Sequence, residues 1–357
     1  MARRSTRRDF LKGKAAANAM ADAAAGPLSA AGDRTGRAGA GYVVRLSRRA
    51  MACDFEVFLN VGQYPEGTEA ALHALDLLEP LEEQLSVFRL GSEIATINRI
   101  AAAQPVEVES RLFELLELAG RLHHQTNKAF DVTSAPLSEA WGFAGREAHV
   151  PGEAELQAAM ALVGWQWIEL DPRQRTVRLL KEGVRINLGS IGKGYALDRC
   201  AEELAAAGVH DFLLHAGGSS IVARGDCIAD PPGWIVGIPH PLRPDRRLAE
   251  LRLKNRALAT SGSRFQSFMH EGRRLSHVLD PRTGWPAEGV LTATAIAFDA
   301  ATADALSTAF FVLGPEGTQQ FCEDHPDVAA VLCTPATGQG GYHLHQFGLN
   351  DTSLRLL

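Results

Sequence analysis

Apolar runs of strand period and of helix period follow one another along this chain without strict alternation, and that ordering constrains its fold most. Val43 to Leu46 and Phe55 to Leu59 alternate apolar and polar residues, as half-buried strands do. Glu66 to Leu85 carries Ala70, Leu72, Leu75, Leu77, Leu78 and Leu81 at helical spacing. Further helices are predicted over 92–100, where Ser92 is an N-cap and Glu93 lies in the first turn, over Ser110 to His124, and over 153–162. Residues 166–180 read as two short strands around Asp171-Pro172, and Tyr195 to Ala207 as a helix. Strands dominate from Phe212 to Thr260, a hairpin turns at Glu271-Gly272 within 264–279, and Leu291 to Phe298 is a strand. A helix over Ala301 to Leu313 and a strand over Val328 to Cys333 complete the pattern. Strict βαβ repetition would predict a doubly wound sheet. Its absence predicts an α+β fold of mixed sheets and packed helices, one large domain over 41–340 with a tail at 341–357.

With 36 Lys and Arg against 42 Asp and Glu, the net charge is −6, and this mild acidity excludes a nucleic-acid partner that needs a basic surface. Five cysteines with no CxxC pair and no Cys/His spacing argue against a zinc site or a disulfide framework. The first 40 residues read as leader and linker: Arg7-Arg8-Asp9-Phe10-Leu11-Lys12 precedes an Ala-rich run, as in a twin-arginine export signal. No later run reaches the ~18 apolar residues needed to span a bilayer. The expectation is an exported, periplasmic protein, soluble or loosely membrane-associated.

Four polar clusters carry chemistry. In Asn187-Leu188-Gly189-Ser190-Ile191-Gly192-Lys193-Gly194-Tyr195, glycines let the backbone approach a ligand, and a helix N-terminus follows. That suits a phosphate cradle, although the Walker spacing is absent and a tight turn with a surface lysine has the same look. The second cluster runs Leu275 to Pro286, with His277 able to exchange a proton near neutrality and Arg282 either a turn residue or a phosphate clamp. In the third, Asp304 and Thr308 share one helix face among small and apolar neighbours. A carboxylate there is costly unless paired, and a hard cation such as Mg²⁺, completed by substrate phosphates, resolves the cost; an exposed helix start is the plainer alternative. The fourth, Lys128 to Leu137 followed by Trp141-Gly142-Phe143, sets aromatics beside hydrogen-bonding groups, as a flat heterocycle or an ordinary core edge requires.

Taken in order, these stretches resemble the FAD:protein FMN transferases, the ApbE family, over about residues 42–335. Met51-Ala52-Cys53-Asp54-Phe55, Leu85 to Phe88 with Ser92-Glu93-Ile94 and Asn98, Phe130 to Thr133, His215-Ala216-Gly217-Gly218 and Ala259-Thr260-Ser261-Gly262 extend the match. The resemblance implies a fold related to the tunnelling T-fold and a Mg²⁺-dependent reaction in which FAD is cleaved, AMP leaves, and FMN joins a Ser or Thr of an acceptor protein, a membrane redox-complex subunit. It implies metal ligation by Asp304, Thr308 and the Gly192 carbonyl. It implies flavin contacts at Met51, Phe88, Ala129, Phe130, Asp131, Gly189, Lys193 and Tyr195, with His277 as base and Lys193 stabilising charge. Asn187 stands where the family usually has Asp, Gly192 where Ala is common, and Cys53 where Thr is usual. The residues leave open a FAD pyrophosphatase, with water as nucleophile, and a flavin-binding protein without turnover.

Overall fold

The chain enters on a hairpin, β1 (Val43–Ala50) against β2 (Cys53–Asn60), closed by Met51-Ala52 with positive φ at both residues, 47° and 63°. Two such residues make the primed turn whose twist matches paired strands. The computed structural model describes residues 42–145, 147–243, 245–263, 267–336, 341–349 and 354–357, so the expected leader lies outside the described residues.

The stretch from Glu66 to Leu85, expected as one helix, is two: α1 (Gly67–Asp76) and α2 (Leu78–Leu85). Pro80 has no N–H to offer the Asp76 carbonyl, so the first helix cannot run on. α3 (Glu93–Ile100) starts where Ala95 N donates to Ser92 Oγ at 2.8 Å. β3 (Val106–Glu107) precedes α4 (Ser110–Gln125), whose Arg111 and Leu112 amides donate to the Glu109 carboxylate. A short helix not foreseen from sequence, α5 (Ala135–Ala140), has Pro136 in its first turn, where a missing N–H costs nothing. α6 (Glu153–Met160) follows, and β4 (Ile168–Asp171) and β5 (Thr176–Leu179) join β3 in a small sheet ordered β3-β5-β4.

α7 (Gly192–Ala206) begins inside the Gly-rich turn, earlier than the expected Tyr195. β6 (Phe212–Ala216) and β7 (Ser220–Arg224) form a hairpin; β8 (Trp234–Pro239), β9 (Arg247–Leu253) and β10 (Arg256–Gly262) follow. β11 (Ser267–His270) and β12 (Arg273–Ser276) pair around Glu271-Gly272, as expected. After β13 (Thr292–Ala297), α8 (Ala300–Asp324) runs past the expected end at Leu313 but breaks there, at Gly314 (φ 68°) and Pro315. β14 (Ala329–Pro335), β15 (Tyr342–Phe347) and β16 (Leu354–Leu356) end the chain. The residues expected as a tail are therefore built into the fold: β15 pairs with β14, and β16 pairs with β9. Their half-exposed, weakly alternating side chains hide this, because edge strands bury only one face.

One antiparallel sheet, ordered β1-β2-β6-β7-β10-β13-β14-β15, carries the molecule. Phe55, Val57, Phe212 and Leu214 face α1 and α7 on one side, while Phe58, Leu213, Ile221 and Leu258 pack on Trp234, Val236 and Leu251 of the second sheet, β16-β9-β8. Because both faces are covered, β6 and β13 are buried along their whole length. The architecture is α+β. All five cysteines are unpaired. Among the described residues no helix is long and apolar enough to cross a membrane.

α7 and α8 touch at Gly194, where a side-chain methyl would overlap the Ala300 carbonyl backbone. Overpacking of this kind costs about 1–3 kcal/mol. Gly194→Ala is expected to lower unfolding free energy by that amount in a urea titration, with helix content retained in the folded state.

Candidate active site

At the end of the large sheet where β2 begins and β6 and β10 finish, a cavity of about 760 Å³ opens. The Gly-rich turn forms one wall. Gly189 N donates to Asn187 Oδ1 at 2.9 Å, and the Ile191 and Gly192 amides both donate to the Leu188 carbonyl, 3.1 and 2.7 Å. This side-chain turn aims the start of α7 at the cavity, so the positive end of its dipole favours an anion there. Gly189, Ser190 and Lys193 line the wall. Gly192 is buried behind it, so its backbone alone is available as a ligand.

Lys193 Nζ donates to Ser219 Oγ at 2.8 Å, in the turn that follows Gly217-Gly218. Asp304 faces the same space from α8 and is buried. Its Oδ1 accepts from Ser220 Oγ at 2.7 Å and its Oδ2 from Gly194 N at 2.9 Å. Thr308, one helical turn on, lies 3.3 Å from Ser261 Oγ and lines the cavity too. α8 is locked to α7 by Asp198, whose carboxylate accepts from the Ala300 and Ala301 amides at 2.9 and 2.8 Å. The sequence pointed to Asp304 and Thr308 but gave no role to Ser219, Ser220 and Ser261. Those serines sit on strands or in the turn that joins β6 to β7, remote in sequence from Asp304, and only sheet pairing delivers them.

Met51, Ala129, Phe130 and His277 also line the cavity. Met51 N is anchored by Glu82 Oε2 at 2.8 Å. Asp131 lines the wall, but its carboxylate is spent on its own loop: Oδ1 accepts from Thr133 N and Oγ1 at 2.7 and 2.6 Å, and Oδ2 lies 3.1 Å from His123 Nδ1. His277 opens the 277–286 loop, which closes on itself through Gly284 N donating to the Asp280 carbonyl and Asp280 N to that of Trp285, both 2.8 Å. Arg282 is the exposed turn residue rather than a clamp, forked onto Asp280 at 2.8 Å. Trp141 and Phe143 belong to the core: the Trp141 indole N–H donates to the Gly284 carbonyl at 2.8 Å and supports that loop from below.

Two expected contacts lie off the cavity wall. Tyr195 follows Lys193 by two residues, about 200° around a helix, so the two cannot face the same space. It lines a separate groove with Leu81, Gln84 and Arg199 instead. Phe88 is 83% exposed in the loop after α2. Cys53 does line the cavity, but burial pushes its thiol up to about 11 against the pull of Lys193, so it is a neutral wall residue.

Among the described residues no cluster of three or more His, Cys, Asp and Glu side chains is arranged to hold a metal. The oxygen set of Asp304, Thr308 and nearby backbone carbonyl nevertheless fits a hard cation with most of its shell left to phosphate and water. Each Asp304 oxygen gives one lone pair to its hydrogen bond and keeps another.

An anion-seeking helix start, a lysine, a buried carboxylate with a hydroxyl, and a histidine on the wall of the same cavity define an enzyme site for a phosphorylated, partly flat ligand. The sequence profile of the ApbE family matches residues 51–332. The chain is 30% identical over 275 residues to a FAD:protein FMN transferase of Klebsiella pneumoniae, covering 76% of this chain and 84% of that one. It superposes on the ApbE protein of Thermotoga maritima with a TM-score of 0.76 at 30% identity, over 86% of this chain and 97% of the other. The flavinyl transferase ApbE of Pseudomonas stutzeri gives a TM-score of 0.76 at 29% identity, covering 86% and 95%. This chain belongs to the ApbE family.

Burial raises the Asp304 carboxyl above its ordinary value, with Lys193, Ser220 and Gly194 pulling it back. An acid raised in this way binds its proton more tightly folded than unfolded. Its contribution to stability is therefore fullest in acid and is lost as pH rises through the folded-state pKa. Asp304→Asn is expected to raise the thermal midpoint at neutral pH, measured with chelator present, and to lose that advantage below the ordinary carboxylate range.

Proposed function

We propose that this protein cleaves FAD and transfers the FMN half to a Ser or Thr hydroxyl of an acceptor protein, releasing AMP. The observation that carries the reading is that Lys193, Asp304, Thr308 and His277 line one cavity against the Gly-rich turn.

The reaction is a displacement at phosphorus. Lys193 and the start of α7 hold the diphosphate and stabilise charge growing on it. Phe130, Ala129 and Met51 supply apolar surface for the flavin ring. His277 accepts the proton of the acceptor hydroxyl. The hydroxyl oxygen then bonds to the FMN-side phosphorus, the bridging P–O bond breaks, and AMP departs with the electron pair. Asp304, Thr308 and the Gly192 carbonyl would hold Mg²⁺, which when bound neutralises charge on the pyrophosphate oxygens. The substitution of Asn187 leaves Asp304 as the carboxylate of that set. The twin-arginine-like pattern in the first 40 residues supports a reaction outside the cytoplasm, with a membrane redox-complex subunit as the proposed acceptor.

Incubation with FAD, Mg²⁺ and such a subunit should give flavin fluorescence on the denatured acceptor band together with AMP. AMP with free FMN and an unlabelled acceptor would make the protein a pyrophosphatase. General-base catalysis contributes ~10²–10⁴-fold, so His277→Ala should lose transfer by that factor while FAD still quenches on binding. Near-normal transfer by the variant would remove His277 from the role. Asp304→Ala should abolish both turnover and its response to added Mg²⁺; an undiminished rate would remove Asp304 as a ligand.

A further inference from the structure

Half of the Asn187 amide is used by the fold and half is free. Its Oδ1 accepts from Gly189 N at 2.9 Å and closes the turn before α7. That bond fixes the orientation of the amide, because the reversed group would set Nδ2 against another N–H. Nδ2 carries two donors and has no hydrogen-bond partner among the described residues. The sealed side-chain atoms without a partner are Trp167 Nε1, Arg199 Nε and His215 Nδ1; Asn187 Nδ2 is not one of them, so a ligand can reach it. Asn187 is half-buried and lines the cavity.

Its neighbours say which part of a substrate it meets. Asn187 N donates to the Val132 carbonyl at 2.8 Å, which ties the residue to the segment carrying Ala129 and Phe130. Two residues on, the chain enters the wall of Gly189, Ser190 and Lys193. Asn187 thus stands where the apolar ring surface meets the start of α7. On the FMN-transfer reading, that junction is the FMN-side end of the diphosphate. Backbone donors are scarce there. The Gly189 amide is taken by Asn187, those of Ile191 and Gly192 by the Leu188 carbonyl, and that of Gly194 by Asp304. A phosphate oxygen at this corner meets side-chain donors in place of the row of free amides that a glycine-rich loop can offer. Lys193 is one, with its Nζ also held by Ser219. The unpaired Asn187 amide is a second.

Resting on that reading, we propose that Asn187 is a substrate-contacting residue whose Nδ2 donates a hydrogen bond to the FMN-side phosphate. An ionised phosphate oxygen is the strongest acceptor on that half of the ligand. An aspartate here would keep the turn, since its Oδ1 accepts from Gly189 N equally well, but would set a negative oxygen against the phosphate. The amide therefore fixes how much of the phosphate charge the protein meets without help from a cation. The ring, served by Ala129 and Phe130, does not feel the exchange.

Calorimetric titration of the full chain with FMN and riboflavin, which differ only in the phosphate, tests this. In chelator, Asn187→Asp should lower the ratio of FMN to riboflavin affinity by about tenfold or more, the worth of a hydrogen bond to a charged group. Asn187→Ala, titrated in Mg²⁺, removes the donors without adding charge and should lower the same ratio by about threefold or more. This second arm decides the matter if Asn187→Asp does not fold or if the native protein holds FMN too weakly in chelator to measure. A purely structural role would weaken both ligands together, so an unmoved ratio in either variant overturns the assignment. FAD is titrated alongside in Mg²⁺. No binding by the native protein refutes the transferase reading, whereas FAD binding with the FMN-to-riboflavin ratio unmoved refutes the role of Asn187 alone.

Discussion

The structure turns on a carboxylate buried between two helices. Asp304 lies inside the protein and is kept there by Ser220, by the amide of Gly194 and by the nearby charge of Lys193. Those groups come from two elements, Ser220 from β7 and Gly194 and Lys193 from the first turn of α7. Gly194 has to be glycine for α7 and α8 to approach closely enough for the bond, and Asp198 ties the start of α8 to α7 from the other side. A charge buried at such cost is a poor device for stability and a good one for holding a ligand's charge in place.

The large antiparallel sheet makes this possible by ending where the helices begin. Its central strands are buried on both faces because helices cover one and a second sheet covers the other. Polar groups are consequently pushed to the strand ends. Ser219, Ser220, Thr260 and Ser261 all fall within two residues of a strand terminus and all border the cavity or its carboxylate. The chemistry is concentrated at one rim because that is where backbone turns leave room for polar side chains.

Asp131 and Trp141 show a division of labour around that rim. Trp141 is not among the residues of the cavity wall, and Asp131 reaches it with a carboxylate already bonded within the protein. Asp131 ties its loop to Thr133 and His123, and Trp141 carries the loop of His277 on its indole N–H. Residues that look catalytic in a list of motifs can instead fix the loops on which the reacting groups are mounted, which is what transfer between two bound partners demands.

Local signals in the sequence determined most of the elements, the Gly-rich turn running into α7, the one-turn spacing of Asp304 and Thr308, and the order of motifs that marks the family. Periodicity, capping and turn chemistry act over a few residues, so they can be read from a few residues. The split at Pro80 is legible too, in the N–H that proline lacks. Only the tertiary structure decided that β15 and β16 belong to the sheets, that Tyr195 turns away from the cavity while Lys193 turns toward it, and that Ser219, Ser220 and Ser261 join the site. Those facts depend on which strand lies beside which and on how two helices cross. Such contacts join residues far apart in the chain, and no local pattern encodes them.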